Sequence, residues 1–197
     1  MKKRILCLIV VALWGVWPLA GQPAKTGQPT KTGRPAKPQK VDIKSLPQKY
    51  RDWLDLVTYI ILQQEKDVFL ALTNDLDRDI FIESFWKQRD PTPGTPANEF
   101  KEEHMRRFQY ANEHYHRGAG RPGWMTDMGR IYISLGAPVS IERWEGTLGI
   151  TPCVGWSYYG DVSKDLPGNF VLLFYQKVAG EYKLYNPAFD GPYERIQ

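Results

Sequence analysis

The stretch "RPGWMTDMGRIYISLG", residues 121–136, is where the residue pattern of this chain changes. Before it, apolar residues recur at the three- and four-residue steps of amphipathic helices. Within it, Ile131, Ile133 and Leu135 alternate with other residues, which is the period of a strand. Pro122 and Gly123, at the start of the stretch, favour a turn. We therefore predict that a helical half ends here and that the first strand of a sheet begins near residue 130.

The segments on either side predict an α+β fold. Residues 45–116 show helical periodicity, broken near residue 90 by three closely spaced prolines. After residue 136, four more strand candidates are separated by Gly, Pro, Asn or Asp, at 140–146, 153–160, 169–178 and 181–186. We expect an N-terminal half of about three to four helices, packed on a C-terminal antiparallel β-meander of about four to five strands.

The N-terminal residues carry the pattern of an export signal. Lys2, Lys3 and Arg4 precede an apolar run and then small residues, so residues 1–21 are predicted to be a signal peptide. The apolar run has roughly 15 residues and a spanning helix needs about 20, although an uncleaved anchor stays open. Residues 22–44 are rich in Pro, Gly and Lys and predict a disordered spacer. The folded domain is expected over residues 45–192, in the periplasm or secreted.

The positive charge of the chain lies almost entirely in this N-terminal part. The whole chain has a net charge of +4, with 26 Lys and Arg against 22 Asp and Glu. Residues 1–49 hold ten Lys and Arg and one acidic residue, which leaves 16 basic and 21 acidic residues for the rest. The expected domain is therefore acidic, and its charge gives no indication of nucleic-acid binding. Contact with a membrane is expected only through an uncleaved anchor or the basic spacer.

Several separated motifs resemble one bacterial family. They are Arg89-Asp90-Pro91, Asn98-Glu99-Phe100, the sequence Gly123-Trp124-Met125-Thr126-Asp127, and Gly136 with Pro138. Together they resemble the GWxTD-domain family, over roughly residues 46–190 and in the same order along the chain. The resemblance implies an exported protein of a Gram-negative bacterium and supplies no catalytic residues.

The Gly-Trp-x-Thr-Asp motif has two interpretations. As a structural joint, Trp124 fills the gap between helices and sheet, while Thr126 and Asp127 bond nearby backbone N–H groups. Asp127 is then expected to pair with Arg130, or in a buried ion pair with Arg89 or Arg106. As a ligand or partner site, the motif would act with an exposed aromatic residue, for which Trp144 is the best candidate. The candidate site residues, whether for binding or structure, are Gly123, Trp124, Thr126, Asp127, Arg130 and Trp144.

Catalytic and metal-binding patterns are weak in this sequence. His114 and His116 lie on opposite sides of a helix, so the sequence predicts no metal site. It has no glycine-rich phosphate loop, and we expect no cofactor. We expect a non-catalytic binding or assembly module of the cell envelope, whose partner is another envelope protein or a wall polymer. The alternative is an envelope hydrolase acting on glycan or peptide, with Asp127 and either Glu142 or Glu145 as its paired carboxylates.

Overall fold

The computed structural model describes residues 41–116, 120–146, 151–160, 162–178 and 180–190. The predicted signal peptide and most of the predicted spacer lie outside these residues. Val41 already belongs to the fold, because its N–H donates a 2.9 Å hydrogen bond to the carbonyl of Leu70. The fold therefore begins before residue 45, where the sequence placed the start of the domain. None of the helices in the described part is long and apolar enough to cross a membrane.

Helices and strands separate along the chain as expected for an α+β protein. In the described residues, five α-helices precede the sheet and a short sixth follows it: α1 Gln48–Leu56, α2 Gln63–Ala71, α3 Asp75–Lys87, α4 Glu99–His114, α5 Asp127–Leu135 and α6 Pro187–Asp190. Asparagine side chains begin two of them. Asn74 Oδ1 accepts from the Asp77 N–H at the start of α3, and Asn98 Oδ1 accepts from the Lys101 N–H at the start of α4, both at 2.9 Å.

The first three helices enclose an aromatic core. Tyr50 and Phe69 are fully buried, and Trp53 packs its ring on Phe69 with 4.7 Å between the ring centroids. Phe85 of α3 meets the same indole edge-on at 5.3 Å. Such tilted and edge-on pairs add to the free energy gained from burying the rings. This core fixes the position of α4, whose His104 is buried and bonds the Leu56 carbonyl at 2.7 Å.

The C-terminal half is a four-stranded antiparallel meander, as the sequence predicted. Its strands lie in the order of the chain: β1 Ser140–Trp144, β2 Cys153–Tyr159, β3 Asn169–Val178 and β4 Glu181–Leu184. The pairing of Ile141 with Trp156, and of Trp156 with Leu172, places these side chains on one face. That inner face carries the second core, which includes Trp156 and Phe174 and packs against Tyr132 of α5.

The predicted first strand is wrong. Residues 127–135 form helix α5, so the sheet begins at Ser140 and not near residue 130. Thr126 is the N-cap of this helix, and Gly136 ends it with a φ of 85°, a conformation that favours glycine. The alternation of Ile131, Ile133 and Leu135 arises because α5 contacts both α4 and β4 and is therefore buried on more than one side.

Candidate functional site

The Gly-Trp-x-Thr-Asp motif is a close-packed joint between α4 and α5. Gly123–Met125 form a 3₁₀ turn that lies directly on α4. A Cβ atom added to Gly123 would lie 2.0 Å from the Ala111 carbonyl oxygen and 2.9 Å from the Asn112 Cα. Both are backbone atoms and cannot move aside independently of α4. Gly123 is therefore required by the close approach of the two segments.

Thr126 closes the joint through two hydrogen bonds of one hydroxyl group. Its Oγ1 accepts from the Gly129 N–H at 3.0 Å and donates to the Gly123 carbonyl at 2.7 Å. Thr126 is buried, so water does not replace either bond. Gly129 is also required, since a Cβ there would lie 1.9 Å from the Gly123 oxygen.

Trp124 links the joint to the helical core. Its backbone N–H donates to Asn112 Oδ1 at 3.1 Å, and its backbone carbonyl accepts from the Tyr59 hydroxyl at 2.8 Å. Its ring stacks on Phe108 of α4 with 5.9 Å between ring centroids and meets the Tyr59 ring edge-on at 6.3 Å. The indole is thus a packing element between α4 and the residues that follow α1.

Asp127 connects the joint to the sheet. Its Oδ2 accepts from the Leu184 N–H of β4 at 2.9 Å, and its Oδ1 lies 3.6 Å from an Arg130 nitrogen. The Arg130 pair is a partly exposed one, with 44% and 26% of the two side chains accessible. The carboxylate also lies in the first turn of α5, where the helix dipole favours negative charge.

The expected buried ion pair of Asp127 with Arg89 or Arg106 is wrong. Arg89 binds both carboxylate oxygens of Glu65 at 2.7 and 2.8 Å. Arg106 binds Glu103 at 2.7 and 2.8 Å. The physical reason is proximity: each arginine has a carboxylate on its own or an adjacent helix, whereas Asp127 reaches across to β4.

A cleft opens beside the joint, between the end of α4 and the inner face of the sheet. Its volume is about 320 Å³. Its aromatic lining is Tyr110, Tyr115, Trp156 and Tyr182, and its polar and charged lining includes His114, Thr126, Arg143 and Glu181. Burial raises the pKa of the Tyr115 hydroxyl, which keeps this group neutral. The cleft can therefore hold an apolar or aromatic group with polar groups at its rim.

The lining of this cleft includes Glu181 and Arg143. Glu181 accepts hydrogen bonds from Arg121 at 2.5 Å and from Lys183 at 2.9 Å, so two cations share one carboxylate. The bond from Lys183 is the main reason that the pKa of Glu181 is lowered. Arg143 is exposed, and none of the described residues forms an ion pair with it. Among the described residues, the Glu181 carboxylate is thus bound by two cations, whereas Arg143 has no ion-pair partner.

Residues 38–186 of the chain match the GWxTD domain. The chain belongs to the GWxTD-domain family. No curated protein and no solved structure matches it. The family name describes the joint well: Gly123, Trp124, Thr126 and Asp127 each make a bond or a contact that depends on the residue type. Met125, the position that the name leaves open, is 42% exposed.

Trp144 lies away from the joint of the GWxTD domain, on the outer face of the sheet. It is 46% exposed, and its ring lies over Gly155, where an added Cβ would be 3.0 Å from the ring carbon Cη2. Val171, 60% exposed, is its neighbour across Gly155. The sequence identified Trp144 as a surface aromatic, but the structure does not bring it together with the GWxTD motif.

The carboxylates of the hydrolase alternative lie at opposite edges of the sheet. Asp127 bonds the edge strand β4, whereas Glu142 belongs to the other edge strand, β1, and Glu145 follows that strand. Three strand spacings separate the edges, which is about 14 Å. Paired glycosidase carboxylates are about 5–9.5 Å apart. The structure therefore does not bring Asp127 and Glu142 to that spacing.

The histidines make backbone contacts. His104 is buried, and His114 and His116 each bond through Nδ1 to the carbonyl four residues earlier. Within the described ranges, no group of three His, Cys, Asp or Glu side chains is placed to hold a metal ion. The ring of His114 also stacks on Tyr110, 3.8 Å between centroids, at the rim of the cleft. Sequence patterns alone gave no sign of this cleft, because its lining comes from α4, α5 and three strands.

Proposed function

We propose that this protein is exported and that its GWxTD domain is a non-catalytic binding or assembly module of the cell envelope. The export proposal rests on the basic and apolar pattern of residues 1–21. The binding proposal rests on the cleft, which offers an aromatic floor and a charged rim. Its partner is another envelope protein or a wall polymer.

The bonds of the joint support a structural role for the motif. The Thr126 hydroxyl and the Asp127 carboxylate are both engaged in bonds within the domain. A catalytic carboxylate needs access to substrate and a second group at the right spacing. Arg143 and Tyr182, by contrast, line the open cleft. We therefore place binding in the cleft, beside the motif and not in it.

The test is affinity capture with a matched pair of variants. Ile141 lines the cleft and is 42% exposed, whereas Val171 lies on the outer face and is 60% exposed. Both are β-branched, exposed strand residues, so Ile141→Ser and Val171→Ser remove comparable apolar side chains from opposite faces of the sheet. The purified protein and both variants are immobilised and incubated with envelope extracts of the source organism.

We expect Ile141→Ser to lose most of the captured material and Val171→Ser to retain it. The proposal is contradicted if nothing is captured, or if both variants capture as much as the original protein. Turnover of a glycan or peptide library by the purified protein, abolished by Asp127→Asn, would favour the hydrolase alternative.

A further inference from the structure

The two edges of the sheet differ in what covers them. At one edge, the Leu184 N–H of β4 is bound by the Asp127 carboxylate. At the other edge, β1 pairs with β2, and no further described strand pairs with it. Four of the five residues of β1 are exposed. An edge strand of this kind presents free N–H and C=O groups that an extended peptide can bind.

The open edge lies against the cleft. Ile141 and Arg143 of β1 both line it, because they share the inner face with Val154 and Trp156. A strand added to β1 would lie about 4.8 Å away, with alternate side chains on this same face. One of these side chains would enter the aromatic cleft beside Ile141. The next on that face, two residues away, would lie beside Arg143.

Charge indicates the chemistry of that second side chain. Arg143 is exposed with no ion-pair partner among the described residues. Opposite charges on directly facing strand residues stabilise pairing, whereas like charges oppose it. An acidic residue is therefore favoured beside Arg143, and a basic residue is disfavoured there.

We propose that β1 binds an extended peptide segment of a partner protein, with an apolar or aromatic residue in the cleft and an acidic residue two positions away beside Arg143. This inference rests on the proposed function and names its partner class. A second copy of this chain fits less well. The antiparallel register that pairs all five residues of two β1 strands is centred on Glu142 and would place two glutamates opposite each other. Parallel pairing in register would place Glu142 opposite Glu142 and Arg143 opposite Arg143.

The experiment selects peptides from a displayed library of nine randomised residues. The targets are the purified protein, Arg143→Glu and, as a control, Lys164→Glu. Lys164 lies in the connection between β2 and β3, at the other end of the sheet from the cleft, and its substitution changes the net charge equally. Sequencing of the selected pools gives the residue preferences of each target.

We expect the original protein and Lys164→Glu to select an apolar or aromatic residue with Asp or Glu two positions away. Arg143→Glu should lose this acidic preference and select Lys or Arg there. Methylation of single backbone nitrogens in a selected peptide should weaken binding about threefold to tenfold at alternate positions, because a strand donates every second N–H to its neighbour.

Three results would overturn the inference. They are selected pools without an acidic preference, pools that are the same for Arg143→Glu, and binding that N-methylation does not change. No selection at all, or a concentration-dependent dimer that Glu142→Lys alters, would also contradict it. If Ile141→Ser still reduces capture from extracts while no peptide is selected from the library, the binding function stands and its ligand is of another class, such as a glycan.

Discussion

Substitution of Thr126 by valine tests whether the joint is held by the hydroxyl group or by packing. Valine has nearly the shape of threonine, so the change removes two hydrogen bonds and leaves the volume almost the same. The bonds lost are those to the Gly129 N–H at 3.0 Å and the Gly123 carbonyl at 2.7 Å. Both lie inside the fold, where water does not replace the missing partner.

The expected cost is about 2–3 kcal/mol in the free energy of unfolding. Loss of an N-cap costs about 1 kcal/mol, and leaving a buried group without a partner costs about 1–3 kcal/mol. The two effects overlap at Gly129, so they do not add in full. Thr126→Ser keeps both bonds and loses one buried methyl group, worth about 0.8 kcal/mol.

The assay is urea unfolding of the purified protein, followed by tryptophan fluorescence and far-UV circular dichroism. Coincidence of the two signals shows whether a single transition is being measured. An unchanged denaturant slope shows that stability alone has changed. We expect Thr126→Val to be less stable than Thr126→Ser. If valine is as stable as threonine, or serine is the worse of the two, packing and not the hydroxyl holds the joint.

Three further predictions concern the same fold. Gly123→Ala should destabilise the protein by about 3 kcal/mol or more, since its Cβ would lie 2.0 Å from the Ala111 oxygen. The control Gly168→Ala, with no atom within 4 Å of the new Cβ, should stay within about 1 kcal/mol in the same urea assay. Burial lowers the pKa of His104, so the folded state favours its neutral form, and stability should fall as the pH drops from about 6.5, the usual pKa of histidine. His104→Gln should reduce this dependence in thermal unfolding measured from pH 7 to 5. Hydrogen bonds from two arginines lower the pKa of Glu103 to about 2, so its contribution to stability is complete above about pH 4.5 and is lost as the pH falls towards 2. Glu103→Gln should make the free energy of unfolding depend less on pH in that window. The effect should be small because the Glu103 side chain is 41% exposed.

Strands β2, β3 and β4 were predictable because apolar residues alternate or run throughout them and because Gly, Pro, Asn or Asp separate them. Helix α5 was missed although its signals were present. Met128, Ile131, Tyr132 and Leu135 follow the spacing of one helical face, and a threonine cap and a C-terminal glycine enclose them. The competing strand pattern arises from Ile133, which is 2% exposed on another side of the same helix. Burial on two sides narrows the polar face that distinguishes a helix from a strand, and only Arg130 and Ser134 of this helix are exposed.

The ion pairs and the cleft could not be predicted from the sequence, for a different reason. Glu65 and Arg89 are 24 residues apart on either side of α3, and many other carboxylates were available to that arginine. The cleft combines residues of α4, α5 and three strands, which periodicity cannot place relative to one another. The turn and the helix cap within Gly123–Asp127 were easier to predict, because capping and turn chemistry act between near neighbours along the chain.

The proposed function gives separate roles to the motif and to the cleft beside it. Thr126 belongs to both. Its hydroxyl group bonds Gly123 and Gly129 within the joint, and the residue also lines the cleft. Asp127 fixes one edge of the sheet, which leaves the β1 edge next to Arg143 as the open one among the described strands. A fixed frame lowers the entropy lost when a ligand orders the site. Substitutions in the motif should therefore change stability first and binding in proportion to it, whereas substitutions of Arg143 should change the choice of ligand at unchanged stability. By the same reasoning, members of the GWxTD family that keep the joint would differ in ligand through the cleft residues that lie outside the motif.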